Sequence, residues 1–213
     1  MPKLLGLPNE KPILEKLAFE GGYLKPKDII SIVEQGGFTY LNKGKECIVI
    51  NRDGNPQEVI AINYQDILPQ EQKIIFYFQR IFSTLFPHNF PRFYAAFTNN
   101  VGQRSIRGTV RKRVNSEGVH SNPLVKFSFE QILSVCKEIG INLHIDRNSK
   151  NFIIGNDGGE YYVDTINFDR AKITDPERVI SYMTANDFSN EDIEVVTKSM
   201  SRINVIAKDF DAS

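Results

Sequence analysis

Cysteine, histidine and net charge are scarce in this chain, and each scarcity narrows what it can be. Two cysteines, Cys47 and Cys136, in 213 residues make no disulfide framework, so free thiols in a reducing compartment are expected. Three histidines, His88, His120 and His144, share no ligand spacing, which argues against a transition-metal hydrolase. Lys and Arg number 26 against 26 Asp and Glu, so no global field draws the chain to nucleic acid or to a membrane surface. No apolar run approaches the ~20 residues of a membrane span. The start, Met1-Pro2-Lys3-Leu4-Leu5-Gly6, lacks the apolar core of a secretory signal. The expected location is the cytoplasm, or a host cytoplasm if a bacterial injection system delivers the chain, since that route leaves no such mark.

A chain of this length can build one sizeable core or two small lobes. Residues 1–25 read as an extension with one short helix at about 11–19. Lys27 to Gln35 reads as a helix with Ile29, Ile30, Ile32 and Val33 on its apolar face, stopped by Gly36-Gly37. Strands are expected at Phe38–Leu41, Cys47–Ile50 and Glu58–Tyr64, with Asn51-Arg52-Asp53-Gly54-Asn55 as a turn. Ile74, Ile75, Phe78, Ile81, Phe82 and Leu85 follow helical spacing over 69–86. Two more strands, Phe90–Phe97 and Ser105–Val114, precede a loop over 115–125. In the second of them Ile106, Gly108 and Val110 take one face and Arg107, Thr109, Arg111 and Arg113 the other. With Arg104 and Lys112 this is the one basic cluster of the sequence. No aromatic platform is interleaved with it, so it reads as a solvated strand face and no nucleic-acid partner is expected. Phe129 to Ile139 is a helix capped near Ser128 and stopped at Gly140, and two further helices are expected at about 176–185 and 190–207.

The helix ending at Gly140 runs into His144-Ile145-Asp146-Arg147-Asn148-Ser149-Lys150-Asn151, an H-x-D-x-x-x-x-N pattern. Phe152-Ile153-Ile154-Gly155, the turn Asn156-Asp157-Gly158-Gly159 and Tyr161-Tyr162-Val163-Asp164 follow, a strong hairpin signal. A hairpin goes out and back, so it can return Asp164 to Asn151. One Asp, one Asn and a second Asp so gathered suit magnesium-assisted phosphoryl transfer: a carboxylate for the attacking hydroxyl and oxygen ligands for a hard cation.

On these residues the chain resembles the protein-kinase-like superfamily, which includes eukaryotic-type protein kinases and aminoglycoside phosphotransferases. The loop is similar to H-R-D-x-x-x-x-N, and Asp164-Thr165-Ile166 stands where the family writes D-F-G. The resemblance covers roughly residues 38–175. It implies an α+β, two-lobed fold whose small lobe is a mainly antiparallel sheet plus one helix, with a reduced helical large lobe. The expected divisions are 1–36 as an extension, 37–114 as the small lobe and 115–213 as the large lobe. No A-P-E triplet follows, so the chain looks like a minimal, atypical kinase of the kind found among phage proteins and injected bacterial effectors.

The resemblance implies ATP and magnesium as cofactors, Asp146 as the catalytic carboxylate, and Asn151 and Asp164 as metal ligands. Asn42, Lys43, Gly44 and Lys45 fall on the glycine-rich loop, with only Gly44 of its three glycines kept. Ile60-Ala61-Ile62-Asn63 stands where the family writes V-A-I-K, so the lysine that pairs with the α- and β-phosphates is replaced by Asn63. Either another cation reaches the phosphates, with Lys45 as the expected catalytic cation and Lys43 beside it, or the protein is a pseudokinase that binds a partner and transfers nothing. Lys73 and Lys112 stand next in line. Glu71 is the nearest carboxylate to the family glutamate that holds the lysine. His144 is expected to brace the loop. A Ser/Thr protein substrate is expected, with a small-molecule acceptor of the aminoglycoside type as the alternative; the sequence names no activating partner.

Overall fold

The computed structural model describes residues 10–43, 47–63, 69–101, 104–115, 125–146, 151–164 and 172–211, and these form an α+β protein. Helices α1 (Glu10–Glu20) and α2 (Pro26–Glu34) precede strands β1 (Phe38–Lys43), β2 (Cys47–Arg52) and β3 (Glu58–Asn63). Helix α3 (Pro69–Leu85) leads to β4 (Phe93–Val101) and β5 (Arg104–Lys112). Then come α4 (Val125–Glu138), β6 (Ile141–Asn142), β7 (Phe152–Ile154), β8 (Glu160–Tyr162) and β9 (Lys172–Ile173). Helices α5 (Pro176–Ala185) and α6 (Asn190–Asp211) close the order. No helix among the described residues is long and apolar enough to cross a membrane. The chain divides into two compact units, Met1–Gln72 with Phe93–Arg113, and Lys73–Arg92 with Val114–Ser213.

The first unit is built on a five-stranded antiparallel sheet of order β1-β2-β3-β5-β4. Alternation along each strand sends Ile48, Ile50, Ile60, Ile62, Ile106 and Val110 to one face. They bury there with Leu14, Leu17 and Ala18 of α1, Ile29 and Val33 of α2, and Phe38. The two N-terminal helices thus share the core of the sheet. Pro26 opens α2, where a missing N–H costs nothing. Gly37, at φ +73°, turns the chain from α2 into β1, and its carbonyl accepts the Asp53 N–H. Gly108 is required by close packing: a Cβ there would collide with the Ala61 carbonyl and the Phe97 ring.

The second unit buries Ile74, Phe78, Ile81, Phe82 and Leu85 of α3 against Phe129, Ile132 and Cys136 of α4 and Val196, Met200 and Ile203 of α6. An aromatic cluster lies within it. Phe90 approaches Phe82, Phe129 and Tyr162 with ring centroids 5.4, 5.8 and 6.1 Å apart, and Phe152 lies 4.8 Å from Phe129. This explains one departure from the sequence expectation. The strand expected from Phe90 begins only at Phe93, because Phe90 is buried in that cluster and its N–H closes a turn onto the Phe86 carbonyl. Helix α4 begins at Val125, ahead of the cap expected at Ser128, since Val125, Lys126 and Phe127 are all compatible with a helix.

Gly140 ends α4 at φ +78° and accepts both the N–H and the hydroxyl of Thr174, at 2.8 and 2.9 Å. Asp175 then caps α5, accepting the Arg178 N–H at 3.0 Å. A Cβ on Gly140 would lie 2.6 Å from that of Asp175. Gly140→Ala is therefore expected to cost about 1–3 kcal/mol of stability, read as a lowered midpoint in urea. An unchanged midpoint would contradict this junction.

Candidate functional site

The segment leaving β6 is extended, and its alternate residues turn inward. Leu143 and Ile145 are buried, while His144 and Asp146 are exposed. His144, expected from the sequence to brace the loop, is exposed, while Ile145 is buried in the core and so braces it. An apolar side chain at this position joins the core and turns its neighbour Asp146 outward.

The hairpin then performs the return its sequence foretold. Phe152 pairs with Tyr162, Ile153 with Tyr161 and Ile154 with Glu160. The turn is closed by Gly155 N–H to the Gly159 carbonyl at 2.8 Å, and Gly158 sits at φ +78°. Asp157 stiffens it, accepting the Gly159 N–H at 3.0 Å and the Tyr161 hydroxyl at 2.7 Å. Past the last pair, the Val163 N–H donates to the Asn151 carbonyl at 2.8 Å, which brings Asp164 back to the start of the hairpin. The side-chain amide of Asn151 donates to the Asp146 carbonyl at 3.4 Å. Buried Gln79, on α3, reaches the Asp164 carbonyl at 3.3 Å. Asp146, Asn151 and Asp164 are thus gathered within the second unit.

Tyr162 lies beside Asp146 and Asp164. Its ring belongs to the aromatic cluster, 5.3 Å from Phe152, and its hydroxyl accepts the Asp146 N–H at 3.2 Å. Burial pushes the phenol pKa well up, and the charge of Asp164 pushes it further; the Asp146 N–H pulls against this and the Asp146 charge adds to it. Both carboxylates therefore lie within electrostatic reach of one buried hydroxyl. Sequence reasoning treated Tyr162 only as a strand residue; its signal was a tyrosine on the inward phase of β8, where burial requires a partner for the hydroxyl.

With its nitrogen turned to Asp146, Asn151 has its side-chain oxygen to offer a cation, and Asp164 supplies a carboxylate. Among the described residues no group of three or more His, Cys, Asp and Glu could hold a metal ion. One carboxylate and one amide form a sparser set, which suits a hard cation that also takes oxygens from a phosphate and from water. Two surface cavities of about 700 and 560 Å³, one along α5 and α6 and one along α4 and β6, are lined by none of these three residues.

The residues expected around the nucleotide lie in the first unit. Gly44 and Lys45 fall outside the described residues. Asn42 accepts the Lys43 N–H on its side-chain oxygen at 2.8 Å. The Lys43 ammonium donates to the carbonyls of Gly22 and Leu24 at 3.1 and 2.7 Å, and must leave them to serve a phosphate. Glu71 is half-buried in the first turn of α3, and Asn63 is half-buried at the end of β3. No protein-family model and no curated protein sequence matches the chain.

The Tyr162 geometry has a consequence at alkaline pH. The folded phenol titrates above its unfolded value of about 10, so its contribution is complete below that pH and is lost as pH rises through the folded pKa. Above pH ~10 the wild type should lose stability faster than Tyr162→Phe, by about 1.4 kcal/mol per pH unit for the one proton. Parallel alkaline limbs in urea titrations of the two proteins would exclude a buried, carboxylate-flanked phenol.

Proposed function

We propose that the protein is an ATP- and magnesium-dependent phosphotransferase of the protein-kinase-like type, a minimal, atypical Ser/Thr protein kinase. The observation that carries this reading is the gathering of Asp146, Asn151 and Asp164, with Tyr162 beside the two carboxylates, at the exit of a helix and the return of a hairpin. The order of elements supports it. Three antiparallel strands, a helix and two more strands precede a mainly helical half. In this reading the sheet unit serves as the small lobe and the unit carrying Asp146 as a reduced large lobe, acting in a cytoplasm on a protein hydroxyl.

Asp146 is exposed and its backbone is fixed by Tyr162 and Asn151, so its carboxylate can orient the acceptor hydroxyl and take its proton as the oxygen bonds to the γ-phosphorus of ATP and the bond from that phosphorus to the departing ADP breaks. Asn151 and Asp164 would hold magnesium, which supplies charge neutralisation at the phosphates. Gln79, by holding the Asp164 backbone, keeps that carboxylate beside Asn151.

A second reading, a nucleotide-binding pseudokinase, draws on Asn63 and on Lys43, whose ammonium already serves two carbonyls. The two readings part in one experiment with labelled ATP and a mixed protein substrate. Asp146→Ala should lower transfer by about 10²-fold or more while ATP affinity stays within a few-fold of wild type. Asp164→Ala should lose the magnesium-dependent part of ATP binding with the fold intact by circular dichroism. Wild-type turnover in Asp146→Ala would remove the catalytic role. Magnesium-dependent ATP binding with no transfer by the wild type would establish the pseudokinase.

A further inference from the structure

The face of the sheet turned away from α1 and α2 carries a polar row that neither core uses. Cys47 on β2 lies opposite Asn63 on β3, Asn63 opposite Arg107 on β5, and Arg107 opposite Thr98 on β4. Directly opposite residues of an antiparallel pair have their Cβ atoms about 4.5–5.5 Å apart and project to the same side. An amide, a guanidinium and a hydroxyl therefore stand side by side across three strands. In each strand the flanking residues Ile62 and Ile106 are buried in the opposite direction, which fixes this phase.

Arg107 is not a solvated strand residue, as the sequence pattern suggested. It is half-buried, and its Nε is fully buried without a hydrogen-bond partner among the described residues. The neighbouring outward arginine is accounted for differently: the Arg111 guanidinium lies 5.7 Å from the centre of the Phe93 ring. A buried donor on a permanently charged group is costly unless an acceptor meets it. An incoming anion at the terminal nitrogens would offset that cost by compensating the guanidinium charge. The guanidinium fork fits phosphate oxygens two at a time, and the Asn63 amide and Thr98 hydroxyl add neutral donors on either side. One row further along the same face, Val49, Ala61, Thr109 and Ala96 lie opposite one another in turn. These small side chains form a smooth shelf suited to a flat group joined to the anion.

We infer that this row is an anion site with Arg107 as its cation, and that its ligand is the polyphosphate of a nucleotide. Asn63 and Arg107 face each other in register, so the positive charge missing from the end of β3 is supplied one strand away, on β5. The row stands on the sheet alone, while the identity of its ligand rests on the phosphotransferase reading.

The test measures binding of ATP, and separately of inorganic tripolyphosphate, to the full chain by calorimetry, without magnesium so that Asp164 does not contribute. Arg107→Met keeps the apolar stem and removes the charge. It should weaken ATP binding by about 10–100-fold and abolish the ligand-induced rise in melting temperature, while the melting temperature of the free protein does not fall. Arg107→Lys should recover part of the affinity, and Asn63→Lys added to Arg107→Met should recover most of it, because the new ammonium starts from the adjacent position. Lys45→Met should leave magnesium-free binding close to wild type. If the wild type binds ATP and Arg107→Met binds it equally, the inference falls and the phosphotransferase reading stands. If Lys45→Met rather than Arg107→Met removes binding, the loop supplies the cation and the inference is again overturned. Arg107-dependent binding of tripolyphosphate with no binding of ATP would uphold the anion site and remove the nucleotide. A wild type that binds neither overturns both.

Discussion

Tyr162 is apolar through its ring and polar at its tip, and the second unit is arranged to satisfy both halves at once. The ring fills the cluster made by Phe90, Phe129 and Phe152. The hydroxyl, which cannot be buried without a partner, takes the Asp146 N–H. The phenol thus ties the loop that carries Asp146 to the hairpin strand that returns Asp164. Taking away the hydroxyl would leave Asp146 positioned by the Asn151 amide and by the anchors Leu143 and Ile145. The carboxylates raise the phenol pKa in return, so the coupling between core and site runs both ways.

The same constraint accounts for the surroundings of the hairpin. A strand pair of three residues each is too short to hold itself. Asn89 supplies the missing hold, its carbonyl accepting the Tyr162 N–H at 2.8 Å and its amide reaching the Glu160 carbonyl at 3.2 Å. The Asn115 carbonyl takes the Asn156 N–H at the turn. Gln79 holds the far end at Asp164. The segment after α3 is therefore a support for the candidate site as well as a connection, and Phe90 is withdrawn from β4 to play that part.

The sheet unit solves a different problem. One of its faces is sealed by two helices, and the other carries charge and amide groups. Arg111 finds an aromatic ring, whereas the Nε of Arg107 finds no hydrogen-bond partner among the described residues. A face that leaves a buried donor unmet while meeting its neighbour is asymmetric in a way that solvation alone does not require.

Most elements could be read from local patterns, since helical spacing over 69–86, alternation over 106–113 and the Asp-Gly turn at 157–158 are properties of neighbouring residues. The H-x-D-x-x-x-x-N spacing with its hairpin likewise foretold that Asp146, Asn151 and Asp164 would meet, because a hairpin's ends meet by construction. What depended on distant partners could not be read this way. That Ile145 is buried in the core beneath the loop, that Phe90 belongs to a core instead of a strand, and that Lys43 is spent on Gly22 and Leu24 were decided by packing. So was the setting of Arg107. Alternation put its side chain on the outward face, but strand order placed it opposite Asn63, and strand order arises from contacts between residues 44 positions apart, which no local periodicity encodes.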